Sequence, residues 1–210
     1  MTTAATRSRS VQGEPEPAWD VALLFPFQGD WSDDEYLSLA GKTRRLVELI
    51  DGRLEVLPMV TLTHQRIAQY LFQQLNDFVR AHELGEVVFM GYPVRLRDRT
   101  FREPDIVFVQ RAHARWLDNR FSASADLVVE VVSEGGRTRD LVEKRRDYAQ
   151  AGVAEYWIVD PKDRAILVLT LKDGQYVEHG RFGEGQQASS VLLDGLRVEV
   201  SEVFAAASGA

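Results

Sequence analysis

The fold of this chain is decided by residues 126–132, which read Asp126-Leu127-Val128-Val129-Glu130-Val131-Val132. Five of these seven residues are apolar and four are valine, a composition typical of a β-strand that is covered on both faces. Only one carboxylate, that of Glu130, interrupts the apolar run. Burying a lone carboxylate in such a strand is costly unless the group is paired or binds a cation. We therefore expect Glu130 to have a partner.

Strands and helices are predicted on both sides of this stretch. Besides 126–132, the β-branched runs that predict strands are 87–90, 94–97, 105–109 and 156–159. Ser32 and Glu35 have the spacing of a capping box and predict a short helix. Apolar residues at helical spacing predict a long helix from the N-cap Thr63 until Gly85 stops the pattern, and a second helix from about Thr138 to Ala151.

Two β-hairpins are predicted at the ends of this core. The dipeptide Asp51-Gly52 joins the runs 46–50 and 53–57, and residues 172–174 join 165–171 to 175–177. One more strand is predicted at 196–200. The order of elements predicts an α/β fold, with a mixed β-sheet flanked by helices and β-hairpin additions.

Length and composition predict one domain. The chain has 210 residues, of which 45% are hydrophobic, enough for one sizeable core. Residues 1–20 are small and polar and predict a disordered tail, which leaves 21–210 as a single domain. The chain has no cysteine, so any metal must be held by oxygen or imidazole ligands. The apolar run 21–27 is too short to span a bilayer, and a cytoplasmic protein is expected.

The charge is unevenly distributed. The net charge of -7 is unusual for a protein that binds nucleic acid. Residues 95–146, however, contain 12 Lys or Arg against 9 Asp or Glu, a surplus of three positive charges that leaves the remainder of the chain at -10. A polyanion can therefore dock in the middle of the chain, although ordinary solvated surface charge explains the pattern equally well.

Three residues are candidates for a catalytic centre. Asp105 begins one predicted strand and Glu130 lies in another, so neighbouring strands would bring together two hard oxygen ligands of the kind that Mg²⁺ prefers. Lys144, on the following helix, would orient the attacking water and offset charge in the transition state. Two structural alternatives remain open: a salt-bridge network of the three residues, or a pair of Lys144 with Asp140 along the helix.

Other polar residues carry weaker signals. The Gly135-Gly136 loop before a helix could bind phosphate through its amides with Arg137 or Arg139, but a surface loop is the favoured interpretation. Tyr148 and Trp157 stand at core spacing and are interpreted as packing residues.

The sequence resembles the PD-(D/E)xK nuclease superfamily. The resemblance rests on Glu103-Pro104-Asp105, on Glu130 some 25 residues later, and on the order helix, three strands, helix, strand. One position departs from the pattern: Val132, two residues after Glu130, stands where most members carry the catalytic lysine. The resemblance implies that Lys144 takes over this role from the helix.

More narrowly, the stretch from Trp31 to about Val200 is similar to the Uma-two family of restriction-endonuclease-like proteins. The matching residues are Asp34-Glu35-Tyr36-Leu37, Glu48-Leu49-Ile50-Asp51-Gly52, His64, Pro104-Asp105-Ile106, Leu127-Val128-Val129-Glu130-Val131-Val132-Ser133, Asp140, Lys144, Tyr148, Gly152-Val153 and Glu155-Tyr156-Trp157-Ile158-Val159-Asp160.

The resemblance implies a Mg²⁺-dependent (or Mn²⁺-dependent) endonuclease that hydrolyses DNA phosphodiester bonds. Asp105, Glu130 and Glu48 would be metal ligands, Lys144 would position the nucleophile, and His64 would contact phosphate or act as a base. The expected partners are DNA and a second copy of the chain, with no membrane. The alternatives are a non-catalytic dimeric DNA-binding or scaffold protein that keeps the fold, and a hydrolase of smaller phosphate esters.

Overall fold

The computed structural model describes residues 24–133 and 135–208. The predicted disordered tail at 1–20 lies outside the described residues. The helices are α1 (Asp33–Ala40), α2 (Leu62–Ala81), α3 (Arg145–Gln150) and α4 (Val200–Ala206), with a 3-10 helix at Arg111–Trp116 and a π-helix at Arg139–Lys144. The strands are β1 (Val47–Ile50), β2 (Arg53–Val56), β3 (Gly85–Phe89), β4 (Val94–Arg97), β5 (Thr100–Arg102), β6 (Ile106–Gln110), β7 (Leu127–Val131), β8 (Glu155–Asp160), β9 (Ala165–Lys172), β10 (Gln175–Gly183), β11 (Gln187–Ser189) and β12 (Arg197–Glu199).

A six-stranded mixed sheet forms the centre of the molecule. Its strand order is β10-β9-β8-β7-β6-β3. Strands β7 and β8 run parallel and the other neighbouring pairs run antiparallel. Helices cover both faces, so the predicted mixed α/β architecture is confirmed.

Strand β7 is buried along its whole length, as its apolar sequence predicted. Leu127, Val129 and Val131 pack in the core cluster that includes α2. Val128 packs in a different cluster with Tyr148 of α3. Because side chains alternate along a strand, Glu130 shares the face of Val128 and lies on the α3 side of the sheet.

Strands β6 and β7 are antiparallel neighbours, which is the arrangement that the candidate site requires. Their register pairs Ile106 with Val129 and Val107 with Val128. Extending this register by one residue sets Asp105 opposite Glu130. The backbone N–H of Val131 donates to Asp105 Oδ2 at 2.7 Å, which holds the two strand ends together.

A four-stranded sheet with the order β2-β1-β5-β4 lies beside the central sheet. The hairpin of β1 and β2 turns at Asp51 and Gly52, both with positive φ, as the Asp-Gly dipeptide predicted. A Cβ at position 52 would lie 2.4 Å from the Gly29 carbonyl oxygen, so the turn requires glycine. Strand β5 was not predicted. It pairs with β1 and β4 and carries Arg102 into the interior.

Several element boundaries differ from the predictions. Thr61, not Thr63, caps α2, because its hydroxyl accepts a hydrogen bond from the His64 N–H at 3.2 Å. The helix predicted from about Thr138 to Ala151 is π-helical over Arg139–Lys144 before it becomes α3. The 3-10 helix, β11 and α4 were also not predicted, because each is short and α4 begins inside the run predicted as a strand at 196–200. Within the described residues, no helix is both long and apolar enough to cross a membrane.

Candidate active site

The five residues predicted to form the site lie together where the central sheet meets the four-stranded sheet. Five different elements or their flanks supply them: β1 carries Glu48, α2 carries His64, Asp105 directly precedes β6, β7 carries Glu130, and the π-helix carries Lys144. All five are at most 7% exposed. Ionisable side chains are rarely this buried unless they are paired.

Lys144 lies among three carboxylates. Its Nζ is 2.7 Å from Glu130 Oε1, 3.6 Å from Glu48 Oε1 and 3.6 Å from Asp140 Oδ1. The π-helix, a conformation often found at functional sites, buries Asp140 and Lys144 together. Lys144 therefore contacts Asp140, as one structural alternative anticipated, and Glu130. Of the other alternative, the three-residue network, only the pair of Lys144 and Glu130 is formed among the described residues, although Lys144 and Asp105 line the same pocket.

For both Lys144 and Glu130, burial and the charge of the other residue shift the pKa in opposite directions. Burial alone would lower the pKa of Lys144, but the charges of Glu130, Glu48 and Asp140 outweigh it and raise this pKa above its ordinary value. Burial raises the pKa of Glu130 to about 8; the Lys144 charge opposes the shift, and the charges of Asp105, Asp140 and Glu48 add to it. Lys144 is thus an ammonium at neutral pH, whereas Glu130 holds its proton far more readily than an exposed glutamate.

Asp105 is fixed by two contacts on one oxygen. Oδ2 accepts the hydrogen bond from Val131 N–H and lies 3.2 Å from His64 Nε2. Burial lowers the pKa of His64, but the hydrogen bond and charge of Asp105 and the charge of Glu130 outweigh it, so the pKa is raised. His64 therefore contacts Asp105, which is a candidate metal ligand. Its Nδ1 is buried and has no hydrogen-bond partner within the described residues.

Glu48 belongs to an ion-pair network that the sequence did not reveal. Its Oε2 accepts from Arg102 Nη1 at 2.6 Å, and its Oε1 accepts from Glu103 N–H at 3.1 Å. Arg102 also donates to Asp147 Oδ2 through Nη2 at 2.6 Å and Nε at 3.2 Å. Burial raises the pKa of Glu48, but the charges of Lys144 and Arg102 outweigh it and lower the pKa. Glu48 is a carboxylate whose oxygens already face protein donors.

Tyr148 is a further residue of the site. Its hydroxyl donates to Glu130 Oε1 at 2.5 Å, and burial together with the charge of Glu130 raises its pKa well above the ordinary value. The interpretation of Tyr148 as a packing residue was therefore incomplete, because the phenol both packs in the core and orients Glu130. The helical spacing of Lys144 and Tyr148, four residues apart on one face, is the signal that links them.

Glu103 also lines the site, and its side chain contacts helix α1. Its Oε1 accepts a hydrogen bond from the Tyr36 hydroxyl at 3.1 Å. Burial, with a contribution from the charge of Glu48, raises the pKa of Glu103 to about 7. Glu103 is thus another carboxyl group whose ionisation is suppressed, mainly by burial and to a lesser extent by the charge of Glu48.

His64, Glu103, Asp105, Glu130, Asp140 and Lys144, but not Glu48 or Tyr148, line a small pocket with about 30 Å³ of space for water-sized occupants. By this measure a water molecule needs roughly 10–15 Å³, so the pocket has room for a few water molecules or ions of similar size. Its walls are formed by Leu46, Leu57, Pro58, Val60, His64, Glu103, Asp105, Glu130, Val131, Ser133, Arg139, Asp140 and Lys144.

The two arginines of the Gly135-Gly136 loop have different environments. Arg137 is paired with Asp160 and, at 2.7 Å, with Asp163, so its charge is used within the fold. Arg139 lines the pocket. Its Nε is buried and has no hydrogen-bond partner among the described residues. Arg139 is therefore the arginine that is available to an anion in the pocket.

The donor set of the pocket fits a hard divalent cation of the Mg²⁺ type. Among residues 24–133 and 135–208, no hydrogen bond reaches Asp105 Oδ1 or Glu130 Oε2, so each carboxylate keeps one oxygen without a protein donor. Within the same ranges, no three His, Asp or Glu residues are grouped closely enough to hold a metal by themselves. Mg²⁺ needs no such group, because it usually binds one or two carboxylates and keeps several waters.

Comparisons with known proteins identify the family and a similar fold. Residues 33–201 match the family described as "Uma2: Putative restriction endonuclease". The structure is similar to the crystal structure of "a putative nuclease belonging to DUF820 from Anabaena variabilis ATCC 29413", with a TM-score of 0.70 and 17% identity over 84% of this chain and 98% of that one.

A second similar structure is that of the type IIG restriction endonuclease BpuSI, with a TM-score of 0.41 and 15% identity over 72% of this chain and 17% of that one. No curated protein is significantly similar to the chain in sequence. The match to the family model spans most of the chain and the fold is that of a restriction-endonuclease-like nuclease, so the chain belongs to the Uma2 family.

Proposed function

We propose that the protein is a Mg²⁺-dependent endonuclease that hydrolyses DNA phosphodiester bonds at the pocket between Asp105, Glu130 and Lys144. One observation carries the proposal: Asp105 and Glu130 each present an oxygen without a protein donor, in a pocket that Lys144 and Arg139 also line. The acids Asp105 and Glu130 suit a cation, and the bases Lys144 and Arg139 in the same pocket suit a phosphate.

Asp105 and Glu130 would hold Mg²⁺ or Mn²⁺, which would polarise the phosphodiester and stabilise negative charge on its oxygens. Of the two, Asp105 is the more firmly positioned, because the Val131 N–H and His64 fix its other oxygen. Tyr148 and Lys144 both contact Oε1 of Glu130 and so leave Oε2 free. Glu48 is proposed as a further ligand, although its two oxygens already accept hydrogen bonds from Arg102 and Glu103.

Lys144 would act through its charge. Because its raised pKa keeps Nζ protonated at neutral pH, it cannot remove a proton from water. It can donate hydrogen bonds to the attacking water and stabilise the additional negative charge of the transition state, and this stabilisation is strong in a pocket shielded from solvent. Arg139, with its unpaired Nε, would contact the phosphate on the same side.

His64 would act indirectly. Its Nε2 contacts Asp105, so it would hold this carboxylate in place rather than meet the substrate with that nitrogen. His64 as a phosphate contact or base would have to use Nδ1, which is buried without a partner in the described part of the chain.

Cleavage of supercoiled plasmid DNA with Mg²⁺ or Mn²⁺ tests the proposal. Wild type should nick or linearise the plasmid, and Asp105→Asn and Lys144→Ala should lose about 10²-fold or more, as enzymes do when transition-state charge stabilisation is removed. Asp77→Asn and Lys162→Ala, at exposed positions, are the matched controls and should cleave like wild type. No cleavage by wild type, or equal cleavage by all variants, would contradict the proposal.

A non-catalytic DNA-binding or scaffold protein is the second candidate. The observation that favours it is the position of Lys144 Nζ within 4 Å of three carboxylates, where it neutralises charge that a cation would otherwise neutralise. Titration of Mn²⁺ into the metal-free protein separates the two candidates. Binding that Asp105→Asn abolishes supports the enzyme, whereas DNA binding without metal binding supports the second candidate.

We also propose a homodimer located in the cytoplasm. The exposed hairpins at the two ends of the core, β1-β2 and β9-β10, offer edges for pairing between copies. A monomer mass in light scattering would contradict the dimer.

A further inference from the structure

A second depression adjoins the pocket. It offers about 360 Å³ of space, which lies in the roughly 300–1,000 Å³ range of ligand sites in general. Its walls include the segment after α1 from Gly41 to Leu46, the turn between β3 and β4, and the loop at Asn119 and Arg120. It shares the lining residues Leu46 and Glu103 with the pocket, so the two spaces adjoin at these residues.

Three arginines line this depression: Arg44, Arg45 and Arg120. All three are exposed, and within the described ranges none of their guanidinium groups lies within salt-bridge distance of a carboxylate. Neighbouring arginines differ in this respect, since Arg95 and Arg97 pair with Asp33 and Asp51. We call the depression the arginine groove.

The concentration of unpaired positive charge is unusual in this chain. The net charge is -7, so acidic partners are abundant, yet the groove has only one acid in its lining, Glu103, at the end it shares with the pocket. Three like charges on one surface repel each other mildly in water. They become favourable when an extended anion lies across them.

We propose that the arginine groove binds the sugar–phosphate backbone of a DNA strand on one side of the phosphodiester that is cut at Asp105 and Glu130. The inference rests on the proposed function and deepens it. Guanidinium groups match phosphate oxygens through paired hydrogen bonds. Because Leu46 and Glu103 line both spaces, the groove lies next to the pocket, within reach of the same strand.

The groove recognises the backbone and not the bases. Its other lining residues, such as Leu37, Ala40 and Pro93, include no aromatic side chain on which a base could stack. Phosphate contacts position a nucleic acid but carry no sequence information. The groove therefore fixes the register of the strand relative to the pocket and adds affinity that is independent of sequence and sensitive to salt.

Binding measured without cleavage tests this inference. The full chain, in EDTA, is titrated against a labelled single-stranded oligonucleotide and against the duplex of the same sequence at several salt concentrations. The variants are Arg44→Ala/Arg45→Ala/Arg120→Ala, the same triple replacement by Lys, and the control Arg197→Ala, which changes an exposed arginine on β12. Thermal unfolding confirms that the variants fold.

The triple alanine variant should bind the oligonucleotide about tenfold or more weakly than wild type. For the single strand, the slope of the logarithm of the association constant against the logarithm of the salt concentration should decrease in magnitude by about 2, since each lost phosphate contact contributes about 0.7. The lysine variant should keep most of the slope, because charge is retained. Arg197→Ala should behave like wild type.

Four results would overturn the inference. They are no measurable binding by wild type, an unchanged slope in the triple alanine variant, an equal loss in Arg197→Ala, and displacement of the oligonucleotide by polyglutamate as effectively as by unlabelled DNA. Failure of plasmid cleavage together with groove-dependent binding would instead reject the proposed reaction and leave the groove in place.

Discussion

Replacing Lys144 by Met tests the ion-pair network at its centre. The change keeps a long unbranched side chain but removes the ammonium that lies 2.7 Å from Glu130 and 3.6 Å from both Glu48 and Asp140. The Lys144 side chain is only 4% exposed, so water cannot replace the lost charge. Removing one partner of a buried ion pair destabilises a protein by about 3–5 kcal/mol, and we expect a loss in this range at pH 8.

The loss should depend on pH with a definite sign. Without Lys144 the pKa of Glu130, already about 8, and that of Asp140, already raised, rise further in the folded state. Both groups then favour folding only while they are protonated, so the variant loses stability as pH rises through these values. At pH 5 the difference from wild type should be smaller than at pH 8.

Urea unfolding followed by tryptophan fluorescence measures the effect, since Trp157 is fully buried. Lys162→Met, at an exposed position, is the control and should change the free energy of unfolding by less than about 0.5 kcal/mol. A loss at pH 8 of under about 1 kcal/mol, the value typical of exposed pairs, would refute the reasoning. So would a larger loss at pH 5 than at pH 8.

Three further predictions concern the surroundings of Lys144. The free energy of unfolding of the metal-free wild type, measured with urea, should fall from pH 5 to pH 9. In the folded state the pKa of Glu103 is raised to about 7 and that of Glu130 to about 8, so the stability that these groups contribute is present below the unfolded value of 4.5 and is lost as the pH rises through the folded values. A steady rise of the free energy of unfolding would contradict this. At pH 9, where Glu130 with its pKa of about 8 is ionised, Tyr148→Phe should cost about 1.5–3 kcal/mol, as expected for a buried hydrogen bond to a charged group, and more than Tyr92→Phe, whose hydroxyl bond to Asp118 is exposed. Arg102→Leu should lower the free energy of unfolding by about 3–5 kcal/mol, because it leaves the buried carboxylates of Glu48 and Asp147 without their arginine. Arg111→Leu, which breaks an exposed pair with Glu83, should lower it by under about 1 kcal/mol in the same assay.

The parts of the fold that were predicted correctly have local signals. β-Branched composition located β7 and β8, and the Asp51-Gly52 turn located the first hairpin, because both depend on residues adjacent in sequence. Strand β5 has no such signal. Its residues 100–102 read Thr-Phe-Arg, and its pairing with β1 depends on a contact across about 50 residues of sequence.

The residues of the candidate site likewise differ in whether the sequence carries a local signal for them. Glu130 was recognisable because a carboxylate in an apolar strand requires a partner, and the structure supplies Lys144 and Tyr148. Arg102 was not recognisable, because arginines are usually exposed and nothing in its neighbourhood indicates burial. Its 1% exposure follows from the position of β5 between β1 and β4 and from the contacts of Arg102 with Glu48 and Asp147, which tertiary packing alone determines.

The assignment of Arg139 rather than Arg137 to the pocket also required the structure. The two arginines are only two residues apart at the start of the same predicted helix, so the sequence does not distinguish their roles. Arg137 pairs with Asp160 and Asp163, which lie more than twenty residues further along the chain.

The position of a bound Mn²⁺ ion tests the central claim most directly. Crystals of the protein grown or soaked with Mn²⁺ would be measured at the manganese absorption edge, with Asp105→Asn crystals treated identically as the control. The account predicts an anomalous peak bonded to Asp105 Oδ1 and Glu130 Oε2 in wild type and no peak there in the variant. A wild-type map with no peak at these oxygens, in crystals that bind Mn²⁺ elsewhere, would contradict it.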